Sequence, residues 1–305
     1  MLKAPEITDA LKTWDVDRIV GLALMKEDVL GEIIGALESG DEKVKIKALT
    51  VLIEVAKRSG RKRRRKILKT GLDRILDVIG SNDDRISGRG LKLLGLLLGD
   101  NNLPDSKLAS VLEAVVRRSP SPNPLVWEGV IGVVENVKLP YVSPNSTRFL
   151  LSVLRSGSAE EVAVASLILV KWAGLGRDEW HLLIERIADL VNSKDVKLAD
   201  AGLTAALMLT KLPPVFPMEP VVKSLLPSLR RLMFSHRDQF LKVKAVEALD
   251  GLQEIVTKYY RLHPRDAQKT AEELLRLGLV EEAHLITSVL ISTLPPDSAH
   301  RRTTR

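Results

Sequence analysis

Cysteine is absent from the 305 residues, which excludes disulfide frameworks, Cys-ligated zinc and thiol catalysis together. Aromatic residues are scarce at 4%, against 45% apolar residues overall, so a core must be built from Leu, Val, Ile and Ala. That composition suits many short packed helices better than a β-sandwich, and an all-α fold is expected. Glutamine occurs only at Gln239, Gln253 and Gln268 beside 28% charged residues, a balance seen in hyperthermophile proteins, and an archaeal or thermophilic source is expected. Long apolar runs are missing as well. The longest, Val162 to Val170 with Ser166 inside it, is too short for a bilayer span of roughly 20 residues, so no membrane partner is expected. The opening MLKAPEITDALKTW carries Asp, Glu and Lys where a secretory signal needs an apolar stretch, and the expected location is cytoplasmic.

Catalytic motifs are also missing: no G-x-G-x-x-G, Walker-type loop or G-x-S-x-G occurs. His181, His236, His263, His284 and His300 are scattered, with none in a metal-binding spacing. His181 and Glu185 lie one helical turn apart, a separation typical of a surface contact. A non-enzymatic chain without metal or cofactor is expected.

What the sequence does contain is a nine-residue cadence returning about every 40 positions. The windows are VKIKALTVL from Val44, ISGRGLKLL from Ile86, LVWEGVIGV from Leu125, VAVASLILV from Val162, LADAGLTAA from Leu198 and LKVKAVEAL from Leu241. Position five is always small: Ala48, Gly90, Gly129, Ser166, Gly202 and Ala245. A small residue at a fixed helical position admits a neighbouring helix. Turn signals between the windows divide the chain into helix pairs, with first helices near 27–38, 61–79, 104–117, 143–155, 178–192, 218–234 and 264–277. Second helices fall near 42–58, 84–98, 124–137, 159–174, 195–211, 238–260 and 280–293, after an initial helix near 15–25. Ser39 with Glu42 and Ser158 with Glu161 match the capping box, and Asn123-Pro124 offers an N-cap before proline at the first helical position.

The period and pattern resemble HEAT/armadillo-type helical repeats, whose unit is a helix pair of roughly 40 to 47 residues. The resemblance implies a right-handed α-solenoid of about seven stacked pairs over residues 1–294, in which the second helices line a concave face. The proline-rich stretch 212–220 is expected to be a bend in the solenoid, the alternative being a boundary before a C-terminal lobe, and the basic tail 295–305 to be disordered. Two enzymes of HEAT-like form were weighed. Deoxyhypusine hydroxylase requires repeated His-Glu pairs, and this chain has no His-Glu dipeptide. A HEAT-like alkylpurine DNA glycosylase would want a concave Trp and Asp set, for which Trp127, Trp172 and Asp200 are candidates without a supporting motif.

Two features point to interaction. Lys57, Arg58, Arg61, Lys62, Arg63, Arg64, Arg65, Lys66 and Lys69 place nine basic residues in thirteen positions; without them the net charge of +7 becomes −2. The run crosses the turn between two repeats, where every charge is expected to reach solvent and attract phosphate or an acidic surface. Positive charge at a helix start opposes the helix dipole, a cost without an evident structural reason. The second feature is a switch at the variable window positions. Lys45 and Lys47, Ser87 and Arg89, and Lys242 and Lys244 are basic or polar, whereas the middle windows carry Val126 and Glu128, Ala163 and Ala165, and Ala199 and Ala201. Trp127, Val164 and Leu167 then mark an apolar groove for a partner helix, or else tight central packing. The leading expectation is a protein-binding scaffold with a basic docking edge at 57–69; the alternatives are phosphate-backbone binding through Lys45, Lys47, Arg89 and the basic run, and, remotely, base excision.

Overall fold

A computed structural model describes residues 4–99, 103–137, 144–172, 174–213 and 215–293. Among these residues there are helices and turns but no strand. The chain opens with α1 (Ala4–Thr13) and α2 (Val16–Met25), then runs as seven pairs. These are α3 (Glu27–Gly35, extended by a 3₁₀ turn Ala36–Glu38) with α4 (Glu42–Arg58), α5 (Arg61–Ile79) with α6 (Asp84–Leu98), and α7 (Asp105–Arg118) with α8 (Pro124–Asn136). Next come α9 (Pro144–Ser156) with α10 (Ala159–Leu169) and α11 (Arg177–Val191) with α12 (Val196–Leu209). The one-turn α13 (Met218–Pro220) and a π-helical turn Val221–Leu225 lead into α14 (Leu226–Ser235), which pairs with α15 (Gln239–Leu262). The last pair is α16 (Pro264–Arg276) with α17 (Val280–Thr293). No helix among the described residues is long and apolar enough to cross a membrane.

One turn device recurs between the helices of a pair. A side chain two residues before the N-cap accepts the cap's own N–H, and the cap carboxylate or amide accepts from the new helix. Ser39 Oγ serves Asp41, Ser81 serves Asp83, Ser121 serves Asn123 and Ser193 serves Asp195, each at 3.2 Å, while His236 Nδ1 serves Asp238 at 3.1 Å. Asp41 then accepts from Lys43 and Val44, Asp83 from Arg85, Asn123 from Leu125, Asp195 from Lys197, and Asp238 from Phe240 and Leu241. Two or three otherwise unpaired backbone donors are satisfied at each of these helix starts. Of the two capping boxes expected, Ser158 with Glu161 forms. Ser39 instead accepts the Asp41 N–H, and Asp41, two residues nearer the helix, is the N-cap.

The chain divides into two compact units, Met1–Val153 and Leu154–Arg305, with α9 running across the division. The proline-rich stretch 212–220 lies inside the second unit, and the tail 295–305 lies outside the described residues. α10 stops five residues short of the expected 174. The chain tightens there into i→i−3 bonds from Lys171 to Ile168 and Trp172 to Leu169, and the Trp172 ring folds over Gly174.

Small residues at window position five do admit neighbours, but not always the same one. A Cβ on Gly90 would meet Ile79 at 3.0 Å and one on Gly202 would meet the Val191 backbone nitrogen at 2.8 Å, so both press against the first helix of their own pair. Gly129 instead faces α6, where a Cβ would lie 2.7 Å from the Leu91 Cβ and 3.2 Å from the Gly88 carbonyl. Leu125, the first residue of that window, is 52% exposed, whereas Val44, Ile86 and Leu241 in the same position are buried. α8 is therefore rotated about its axis relative to the other second helices. Gly88 and Gly95 complete the contact, their missing side chains leaving room for the Leu125 and Gly132 carbonyls at 3.1 Å. α6 and α8 consequently share the most extensive helix contact of the described residues, and α8 packs only lightly on its own α7.

Candidate interaction surfaces

The basic run separates into two sets in the first unit. Lys57 pairs with Glu54 at 2.8 Å, Arg58 with Asp17 at 2.7 Å and Lys66 with Glu27 at 2.5 Å; the last hydrogen bond holds the Glu27 carboxyl below its usual range. Arg63 and Arg64 are half-buried rather than solvent-borne. Arg63 donates to the Leu24 carbonyl in the last turn of α2, and Arg64 to the Ala56 carbonyl in the last turn of α4. A guanidinium at a helix C-terminus satisfies open carbonyls and complements the dipole. The structural reason missing from the sequence is thus supplied by two preceding helices, not by α5. Arg61, Lys62, Arg65 and Lys69 are exposed and make no hydrogen bond or ion pair. Arg61, Arg65 and Lys69 follow at i, i+4 and i+8, so they form one stripe along α5 with steps of about 6 Å.

The other cations scatter. Lys47 donates to the Trp14 carbonyl just past α1, and Lys45 lines a separate hollow with Glu38, Arg74 and Asp77. Arg89 bonds the Arg85 carbonyl at 3.1 Å and stands, with Lys57 and Lys92, on a groove of about 480 Å³ across α4, α6 and α8. Gly88, Gly95, Gly129 and Gly132 lie along its floor, with Ile53, Leu96 and Leu125 as its apolar contacts and Glu54 and Glu128 as its acids. Lys92 is exposed without a partner. The space above Gly132 is open: a Cβ there would meet nothing within 4 Å. This groove was not foreseen, although its signal, four glycines at helical spacing in two consecutive second helices, was in the sequence.

The expected apolar groove does not form where Val164 and Leu167 were placed. Both are buried, as is every residue of α10 from Val162 to Leu169, and Trp127 is half-buried. Ala163, Ala165, Ala199 and Ala201 are buried too, so the apolar middle of the switch is core rather than exposed face. A helix with no polar side must be covered all round. The candidate base-excision acid, Asp200, is held by Lys244 Nζ at 2.6 Å, which also donates to Thr204. His181 lies 3.4 Å from Glu185 on the surface. Among the described residues no group of three or more His, Asp or Glu side chains is placed to hold a metal ion.

In the second unit the main hollow, about 540 Å³, is lined by Trp180, Phe216, Tyr259 and Tyr260 with Arg177, Asp266 and Lys269 at its rim. Lys223 bridges Glu219 at 2.8 Å and Glu273 at 2.6 Å beside it. Burial works against the ammonium, yet these two hydrogen bonds outweigh it and raise the Lys223 pKa, while the same bond lowers that of Glu219.

These pairs and turns coincide with a known architecture. The backbone matches the crystal structure of an archaeal HEAT-like repeats protein from Thermococcus onnurineus NA1 with a TM-score of 0.70 at 16% identity, over 84% of this chain and 99% of that one. It also matches an engineered protein with a TM-score of 0.50 at 15% identity, over 74% of this chain and 98% of the other. A designed armadillo repeat protein aligns with a TM-score of 0.44 at 15% identity, over 73% and 99% respectively. No protein-family model matches the sequence, and no curated protein does. The fold is a helical repeat of the HEAT/armadillo-like kind, as the cadence implied.

Proposed function

We propose that this chain is a non-enzymatic binding scaffold whose first unit holds an acidic protein segment in the groove over α4, α6 and α8. The observation that carries the reading is the glycine floor. Gly88, Gly95 and Gly129 bring α6 and α8 together, but Gly132 has open space in front of it and its small size serves nothing inside the fold. Lys92 and Arg89 supply positive charge beside the apolar Leu125 and Leu96, a combination that suits the face of an amphipathic helix or extended segment carrying carboxylates. The stripe Arg61, Arg65 and Lys69 with Lys62 adds long-range attraction for the same acidic partner. Gly132→Phe tests this directly, because its Cβ meets nothing within 4 Å and the ring projects into the groove. Affinity capture followed by mass spectrometry should recover a partner with the wild type and lose it with Gly132→Phe; an identical set from both would overturn the reading.

A second reading, phosphate-backbone binding, is favoured by the regular stripe on α5. Only four cations of the run are free, so duplex DNA binding would follow a log–log salt slope of about −3.6, a loss of roughly 150-fold from 50 to 200 mM. Nine free cations would give about −8. A slope near −3.6 that disappears in Arg61→Glu/Arg65→Glu would place nucleic acid first, and binding indifferent to that variant would remove it.

A further inference from the structure

The second unit exposes large apolar side chains along one edge, and nothing in the scaffold reading accounts for them. The turns α11–α12, α14–α15 and α16–α17 all join the two helices of a pair. Since α12, α15 and α17 pack side by side in order, these turns follow one another along the same edge. On it stand Val196 at the start of α12, Phe234 and Phe240 on either side of the next turn, Val243 one helical turn on, and Leu277 and Val280 at the last turn. Phe234 is 84% exposed, Phe240 64% and Val243 66%, in a chain that has only four Phe in all. Their spacing is that of packed helices, about 8–10 Å from one repeat to the next.

The charge between these tips is mostly positive. Lys194, Arg237, Lys242 and Arg276 make no ion pair, and Arg231 touches only the Asn192 amide at 3.4 Å. The acids of the edge are engaged within the fold: Asp195 and Asp238 accept backbone N–H groups of α12 and α15, and the exposed Glu281 and buried Glu282 both hold Arg230. Side chains exposed by about half or more protrude from the edge as knobs. A protein partner would need a pocket for each knob, whereas a bilayer surface accepts apolar tips at any spacing and meets the cations with its headgroups. We propose that this turn edge of the second unit docks onto an anionic lipid surface, with Phe234 and Phe240 inserted at the headgroup boundary and Arg237, Lys242 and Arg276 against acidic headgroups. Lying on a bilayer needs no span, so the short apolar runs of the sequence do not oppose it.

The test is cosedimentation of the full chain with phosphatidylcholine vesicles, with and without phosphatidylserine. The expected result is binding that requires phosphatidylserine, weakened about tenfold for each Phe removed in Phe234→Ser/Phe240→Ser and about fivefold for each cation removed in Arg237→Gln/Arg276→Gln. Both variants change exposed side chains, and unchanged melting temperatures would certify their folds. Failure of the wild type to bind would overturn the proposal. So would binding that survives Phe234→Ser/Phe240→Ser, which would mean simple adsorption through the α5 stripe. Self-association abolished by the same double variant, without vesicle binding, would instead make the edge a contact between two copies. Gly132→Phe should leave vesicle binding intact, so the groove reading and this one fail separately.

Discussion

The two units are built from the same helix pair and each has a glycine pressed on the first helix of its own pair, Gly90 and Gly202, yet the first adds a glycine seam between α6 and α8 and the two differ in what they leave outside. In the second unit Gly202 presses α12 onto the backbone of its own partner α11, and α10 is buried from Val162 to Leu169. In the first unit Gly129, Gly88 and Gly95 draw α8 toward α6 of the preceding pair, loosening α8 from α7 and opening a groove with Leu125 at its edge. A glycine in a repeat therefore does not specify a contact by itself. It permits one, and the neighbouring glycines decide which helix takes it. The exposed surface differs as well: a stripe of cations between pairs in the first unit, and apolar knobs with cations among them within pairs in the second.

The largest effect should come from filling these close approaches. Gly202→Leu would drive carbon into the Val191 nitrogen and the Leu190 backbone, and Gly129→Leu into Leu91 and the Gly88 carbonyl. Neither neighbour can swing aside. Each should destabilise by about 3 kcal/mol, the upper part of the usual overpacking range, in a denaturant titration. A tolerated Gly129→Leu would break the comparison, because it would mean that α8 is not rotated toward α6.

A smaller effect separates structural from free arginines. Arg63→Ala and Arg64→Ala each remove a cap from a helix C-terminus and should cost about 1 kcal/mol. Arg61→Ala and Arg65→Ala touch no protein group and should stay within about 0.5 kcal/mol. Equal losses from all four would show that the run acts as one charged body rather than as two sets.

This division marks what could be read from residue order and what could not. Helix starts and ends were legible, because they depend on local chemistry: Glu42–Arg58, Arg61–Ile79, Asp84–Leu98 and Val280–Thr293 run as the turn signals placed them. The repeated Ser-x-Asp before second helices is equally local and equally visible, and at Ser39 it prevails over the capping box with Glu42. The rotation of α8 was not legible, since periodicity gives a face but not the neighbour that the face meets. The partners of Arg63 and Arg64 lie 39 and 8 residues away, at the ends of two other helices, and only the fold brings those carbonyls into reach. For the same reason sequence alone leaves a groove open beside core packing for the apolar α10, and its neighbours decide for core.

Two buried polar atoms of the second unit, Trp180 Nε1 and Ser166 Oγ, lack a hydrogen-bond partner among the described residues, and the serine gives the simpler test. Ser166 occupies the small position of its window, is fully buried, and its hydroxyl has no hydrogen-bond partner. Ser166→Ala keeps the small volume and removes the stranded group, so it should stabilise the protein by about 1 kcal/mol in the same titration. A loss instead would reveal a partner for the hydroxyl and a function for the serine beyond its size.

The smallest difference is one of acid sensitivity at helix starts. In the first unit α6 begins at Asp83, which Arg85 holds by its side chain at 2.7 Å and by its backbone N–H at 2.8 Å. These bonds lower the Asp83 pKa to about 2 from an ordinary 3.8. Because the folded pKa is depressed, the stabilisation is complete above the ordinary value and is lost as pH falls from there toward about 2. In the second unit α10 begins instead at Ser158, whose hydroxyl accepts the Glu161 N–H and does not titrate. Asp83→Asn keeps an N-cap acceptor while removing the charge. Between pH 4 and pH 2, the wild type should therefore lose slightly more melting temperature than Asp83→Asn, and Ser158→Asn should leave the acid profile as it was. An Asp83→Asn profile parallel to the wild type would mean that Arg85 contributes only through its backbone, and that the two helix starts differ in sequence but not in electrostatics.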